Sequence, residues 1–248
     1  VVLVHASGLG LTQWGAVAPR LAAKHRVLAM DLLGCGASDP WPDPDQFDVD
    51  ADLALVRAVA QLADAPVHLV GHSYGGALAL RLAAREPALV RSLAVYEPVA
   101  FGVLDGRDPE GAAALAQALP DDFLDPAGGG GAEWVGRFVD FWNGAGTWER
   151  LAPARKAALC TTGRKSWLEV CALLRAPDRH FDIRCPTLVM VGTRSPRPAE
   201  GVCRVLAEMI PGALHVVLAE AGHMAPIEEP KRFLGILGAH LARVDARG

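Results

Sequence analysis

The pentapeptide Gly71-His72-Ser73-Tyr74-Gly75 lies between a short apolar run, Val67 to Val70, and a stretch with helical spacing. A strand that turns at once into a helix needs small residues around the turn, and glycines two places before and after Ser73 supply them. The Ser73 oxygen would then stand above a sheet edge at a helix N-terminus, beside backbone N–H groups able to stabilise an oxyanion. A serine hydroxyl is a weak nucleophile at neutral pH, so chemistry at Ser73 requires a base within reach. Eight histidines are available. His5 and His72 lie in or beside glycine-rich turns, and His223 follows the last apolar run. His25, His68, His180, His215 and His240 fall in or beside predicted elements, where packing or solvation accounts for them.

The elements that must hold these residues alternate regularly. Apolar runs at 1–5, 26–30, 67–70, 92–96, 186–191 and 214–218 have the continuous character of strands buried on both faces. Helical spacing occupies about 12–24 (Trp14, Val17, Leu21), 48–63, 75–86, 199–210 and 227–243. Asp48 is placed to cap the second of these, with Val49, Leu53, Val56 and Ala60 on one face, and the third stops before Pro87. Strands separated by helices must run parallel with long right-handed crossovers. The fold class is therefore α/β, a mostly parallel sheet of about six strands with helices on both faces. The alternation lapses between 99 and 182, a region with a Gly128–Gly131 run and most of the tryptophans. The expected organisation is a core of residues 1–98 and 183–248 with a helical cap inserted at 99–182.

Composition removes several function classes. Hydrophobic residues make up 51% and charged residues 21%, enough apolar material for a buried sheet, and the net charge of −4 offers no basic face for nucleic acid. No apolar run reaches the ~18 residues of a membrane span. Five scattered cysteines (Cys35, Cys160, Cys171, Cys185, Cys203) show no metal-binding or disulfide spacing, which favours a reducing, cytoplasmic setting and predicts no metal. No basic segment leading into an apolar stretch and a cleavage site is present, and the chain opens inside the run VVLVH. No helix stands out as an apolar interface, so the sequence sets no oligomeric state.

Three further segments make the chain resemble the α/β-hydrolase fold family over nearly its whole length. His5-Ala6-Ser7-Gly8 is similar to the family's oxyanion loop, Asp31 to Ser38 to its D-x-x-G-x-G-x-S turn, and Gly222-His223 to the late loop that carries the base. The resemblance implies that His223 takes the proton from Ser73 and that the backbone N–H groups of Ser7 and Tyr74 form the oxyanion hole. Ala6 stands where glycine is usual. The two leading strands of many relatives are not in the chain, so six strands are expected rather than eight. No cofactor is implied.

The acid departs from the family pattern, in which an Asp follows three residues after a strand-ending glycine. Here Gly192 is followed by Thr193-Arg194-Ser195, and a serine hydroxyl carries no charge to hold an imidazolium. Glu97, at the end of the strand after the Ser73 unit, keeps the order nucleophile, acid, base and is the chosen candidate. Glu200, Glu220 and Asp182 are weaker, and Ser195 is expected to matter little. The implied activity is hydrolysis of an ester or related acyl compound through an acyl-enzyme, with a small, apolar substrate expected. Carbon–carbon bond hydrolysis, lyase action and cofactor-free peroxidation use the same residues in relatives, and a non-catalytic small-molecule-binding protein is the remaining alternative. Trp14, Trp41 and Met224 are the better candidates for lining the pocket, whereas the aromatics of the insert read first as packing.

Overall fold

The structure, a computed structural model, describes residues 1–41, 47–175 and 177–247. Residues 42–44, at the end of the glycine-rich loop that follows the second strand, lie outside the described residues. Among the described residues six parallel strands form one sheet: β1 (Val2–Val4), β2 (Leu28–Ala29), β3 (Val67–His72), β4 (Val90–Tyr96), β5 (Thr187–Gly192) and β6 (Leu214–Leu218), in the order β2-β1-β3-β4-β5-β6. Residues alternate between the two faces. Val2, Val4, Leu69, Leu93, Val95, Val189 and Val191 pack into one core layer, and Leu3, Val70, Ala94, Tyr96, Leu188 and Met190 into the other.

Helices cover both faces, as the crossovers require. The first layer lies under α2 (Val49–Gln61), α3 (Tyr74–Arg85) and α9 (Arg197–Met209), and the second under α11 (Pro230–Asp245). The N-cap of α2 is Asp48, whose carboxylate accepts from the Asp50 N–H. Two expected helices are broken. The 12–24 pattern becomes a 3₁₀ turn at Leu11–Trp14 and a single-turn α1 (Ala18–Leu21), divided at Gly15. The 227–243 pattern divides into α10 (Ala225–Glu228) and α11 because Pro230 lacks an N–H and starts a new helix at its first turn.

Between β4 and β5 the chain forms α4 (Pro109–Ala118), α5 (Ala132–Asn143), α6 (Thr147–Arg150), α7 (Pro153–Thr161) and α8 (Gly163–Arg175). The start of this segment packs on α9, fastened by Asp108, which bonds Arg197 at 2.9 Å and Arg204 at 3.1 Å. Helices α5 and α8 share a separate apolar cluster built on Phe123, Trp134, Val135, Val139, Trp167 and Leu168.

The strand order reverses direction between β1 and β3, because the chain first builds outward to β2 and then crosses back. Loops after these two strands diverge at that switch point and leave a crevice at the carboxyl edge, the general position of sites in such sheets. Ser7 follows β1 and Ser73 follows β3.

Candidate active site

Ser73 occupies the turn from β3 into α3 with φ 54° and ψ −117°, a conformation costly for any residue with a side chain. Close approach of three backbones enforces it. A Cβ on Gly71 would lie 2.3 Å from the Gly75 carbonyl oxygen, and one on Gly75 would lie 2.4 Å from the Val4 carbonyl oxygen. The strained residue is tied down by its own amide, which donates to the Tyr96 carbonyl at 3.0 Å. The Tyr74 N–H lies in the first turn of α3, where no intrahelical acceptor exists.

Glu97 also has positive φ, 43°, directly after β4. Its buried carboxylate faces three donors. Oε2 meets His223 Nδ1 at 2.7 Å, while Oε1 accepts from the Gly192 N–H at 2.8 Å and from the Ser195 hydroxyl at 2.5 Å. A proton on Nδ1 donated to Glu97 leaves Nε2 of His223 with its lone pair free, the tautomer a base requires. Ser195 stands where a carboxylate was sought and was expected to matter little. It instead helps fix the carboxylate that faces His223, a role that became visible once β4 and β5 were adjacent.

The weaker acid candidates are elsewhere. Glu220 is exposed and paired with Arg194, Asp182 is exposed and paired with Arg184, and Glu200 lies on α9. His223 is sandwiched between rings, with Trp142 stacked at 3.8 Å and His72 at 4.7 Å. Burial holds His72 well below the ordinary imidazole range, so it stays neutral and places no rival cation beside His223.

The loop after β1 is set by buried polar contacts. His5 Nδ1 donates to the Ala6 carbonyl at 2.8 Å, and its Nε2 accepts from the Leu32 N–H at 2.9 Å. The Ala6 N–H donates to Gln13 at 2.9 Å. Positive φ falls on Gly8 rather than Ala6, so alanine sits there without backbone strain. Asp31 accepts from Leu11 and Ala37, joining this loop to the Asp31–Ser38 turn. Ser7, Ser73 and His223 all border one cavity of about 260 Å³, roofed by Trp134, Phe138 and Trp142. Met224 lines it as anticipated. Trp14 does not, since it is buried in the second core layer against Phe233, and Trp41 is not among the lining residues. The insert's aromatics were read as packing, and Trp134 does both, while Trp167 only packs.

A buried ionic cluster beside the site escaped sequence reading. Lys165 on α8 donates to Asp52 on α2 at 2.7 Å and to Glu169 at 2.5 Å, and the Tyr74 hydroxyl donates to the same Asp52 oxygen at 2.9 Å. Burial alone would lower the Lys165 pKa, but the facing Glu169 and Asp52 carboxylates outweigh it and raise it. The available signal was Asp52, three residues after Val49 on the apolar side of α2, a carboxylate at a core position. Lys165→Met is expected to destabilise the protein by about 3–5 kcal/mol, because it leaves two buried carboxylates without their cation. Urea unfolding monitored by far-ultraviolet circular dichroism measures it.

One trio among the described residues, His25, His68 and Asp245, brings three potential metal-ligating atoms within 4.8 Å of one another. It lies toward the start of β3, at the edge opposite Ser73. No helix of the described residues is long and apolar enough to cross a membrane.

A family model described as alpha/beta hydrolase fold matches residues 1–230. The chain is 32% identical to a pimeloyl-[acyl-carrier protein] methyl ester esterase of Chromobacterium violaceum, across 97% of this chain and 93% of that protein. It is 30% identical to a 2-hydroxy-6-oxo-2,4-heptadienoate hydrolase of Pseudomonas putida, across 99% of this chain and 90% of the relative. The crystal structure of a hydrolase from Pseudomonas aeruginosa PA01 superposes with a TM-score of 0.72 at 25% identity, covering 97% of this chain and 88% of that one. With the strand order, the serine turn and the matching length, these likenesses establish that the chain belongs to the α/β-hydrolase fold family.

Proposed function

We propose that the protein is a serine hydrolase of carboxylic esters, with Ser73 as nucleophile, His223 as base and Glu97 as the acid that orients it. The observation that carries this reading is the 2.7 Å contact between Glu97 and His223 Nδ1, beside a cavity that Ser73 and His223 both border. Attack forms the bond from Ser73 Oγ to the acyl carbon while His223 Nε2 takes the hydroxyl proton. Negative charge on the former carbonyl oxygen is met by the Ser7 and Tyr74 backbone N–H groups. Collapse breaks the bond to the leaving alcohol, which receives the proton from His223. Water then attacks the acyl-enzyme, giving a proton to His223, and the acid departs as Ser73 regains its hydrogen.

Helices α5 to α8 act as a cap over this centre, and the aromatic walls favour an apolar substrate. The free cysteines favour a reducing compartment. Incubation with a fluorophosphonate and peptide mass spectrometry test the reading. Stoichiometric modification at Ser73 that is lost in His223→Ala supports it, and a folded protein that stays unmodified sinks it.

A second reading, carbon–carbon bond hydrolysis with the same residues, is favoured by the likeness to the Pseudomonas putida enzyme. A panel of p-nitrophenyl esters separates the two, since labelling at Ser73 without turnover of any ester favours the second. Ser195→Ala removes one donor from the Glu97 carboxylate and is expected to lower kcat roughly tenfold with an unchanged melting temperature. Steady-state kinetics on the best ester checks it.

A further inference from the structure

Beside the main cavity lies a smaller chamber of about 40 Å³, which Ser7 and Ser73 also border. The two spaces therefore meet at the nucleophile, as the two arms of an ester diverge from its carbonyl carbon. The small chamber is walled by Val99, Phe101, Leu119, Phe141 and Leu173, and Glu169 is the one carboxylate among its lining residues. That side chain is 1% exposed.

Glu169 is half satisfied. Its Oε1 is held by Lys165 at 2.5 Å and the Ser7 hydroxyl also stabilises the carboxylate, while Oε2 is buried with no partner at hydrogen-bond distance. Burial raises the Glu169 pKa against the pull of Lys165, so the group is strained in its charged form. The Trp142 indole Nε1 is likewise buried without a partner, and Trp142 borders the same chamber. Orphaned buried polar atoms are rare in folded proteins because each forfeits its interaction with water. Here one orphan accepts and the other donates, in a space whose other polar side chains among its lining residues are the Ser7 and Ser73 hydroxyls. An ammonium group could satisfy only the carboxylate. A hydroxyl both donates and accepts, so a hydroxyl can satisfy both.

We propose that this chamber takes the acyl arm of the substrate and that Glu169 is a specificity-determining residue selecting a short acyl group that bears a hydroxyl, with the Trp142 N–H as the complementary donor. The inference rests on the reading of Ser73 as the nucleophile. Its volume suits a chain of a few carbons, given that one water fills roughly 10–15 Å³ on the same measure.

The test compares kcat/KM for p-nitrophenyl butanoate and its 2-hydroxy and 3-hydroxy counterparts. The ratio of hydroxylated to plain ester is measured in the wild type and in Glu169→Leu combined with Lys165→Met, so that no ammonium is stranded and Asp52 keeps the Tyr74 hydroxyl as its donor. For at least one hydroxyl position the ratio is expected to fall about tenfold or more in the double variant, since a hydrogen bond to a charged group has been removed. Comparing ratios cancels the intrinsic reactivity of each ester. Trp142→Phe, which keeps a ring against His223 but lacks the N–H, is expected to lower the same ratio severalfold and serves if the double variant does not fold. Ratios unchanged in the variants that fold overturn the proposal, as they would if an ordered water satisfied Glu169. If no ester is turned over, the ester reading fails separately, and ligand-observed NMR of butan-2-one against 4-hydroxybutan-2-one reads the chamber directly. A hydroxyl preference in the wild type that the variants lose supports the proposal, and equal binding of the two ketones overturns it.

Discussion

Ser73→Ala is expected to lower turnover about 10⁶-fold, close to loss of the nucleophilic route, while leaving the fold and substrate affinity nearly intact. Alanine keeps the Cβ already accommodated at φ 54°, so the turn is no more strained than before. The Ser73 N–H to Tyr96 carbonyl bond is backbone and survives the change. Only the attacking oxygen is removed. His223→Ala should fall to a similar level, and the double variant should be little worse than either, because on the proposed mechanism the two groups act in a single proton transfer and their losses do not add. Single-turnover kinetics with a chromogenic ester checks both. Loss of less than tenfold in folded Ser73→Ala would mean that another group attacks.

Glu97→Gln should reduce kcat by about 10⁴, the scale seen when a neutral amide replaces the carboxylate behind a catalytic histidine. The geometry gives two causes. The amide carries no charge to stabilise an imidazolium at 2.7 Å. Its orientation is also constrained, because Gly192 N–H and Ser195 both donate to one oxygen position. The carbonyl end is thereby held toward them and the NH₂ end turned toward His223, which must then present a lone pair at Nδ1 and its proton at Nε2. That is the wrong tautomer for a base. KM should change little, since Glu97 is buried behind His223 and outside the cavity lining. A rise in KM with kcat preserved would remove Glu97 from the proton-transfer system and assign it to positioning alone.

The sheet was legible because a strand buried on both faces is a short apolar run that helical spacing does not imitate. All six runs became strands, but burial on both faces holds for the inner strands and not the edges: β2 is half-buried and shortens to Leu28–Ala29, β6 is largely exposed, β3 runs on to His72 and β4 starts at Val90. Ser73 was legible from its two flanking glycines, which the close approach of β1 and α3 makes necessary. His223 was picked out by its likeness to the family's late loop and Glu97 by its place at a strand end, yet their contact spans 126 residues of chain and no local pattern encodes it. The Asp52, Lys165 and Glu169 cluster was opaque for the same reason. Lys165 and Glu169, four apart, look like an ordinary exposed helix pair until α8 is laid across α2. The broken first helix was misjudged from spacing alone, with Gly15 and Pro19 given too little weight.

The sheet order also says when the chemistry becomes available. β1 is flanked by β2 and β3, so its slot is filled by residues that emerge well before β6, whereas His223 follows β6 at the far edge. A chain growing from its amino end can complete the serine turn and the Glu97 strand while it still lacks a base. Long-range parallel pairing is slow compared with local helix formation, and β6 docks only on a finished β5. Until it does, the proposed nucleophile Ser73 stands without its proposed base. On the proposed mechanism, hydrolytic competence waits until β6 has docked on β5 and His223 faces Glu97.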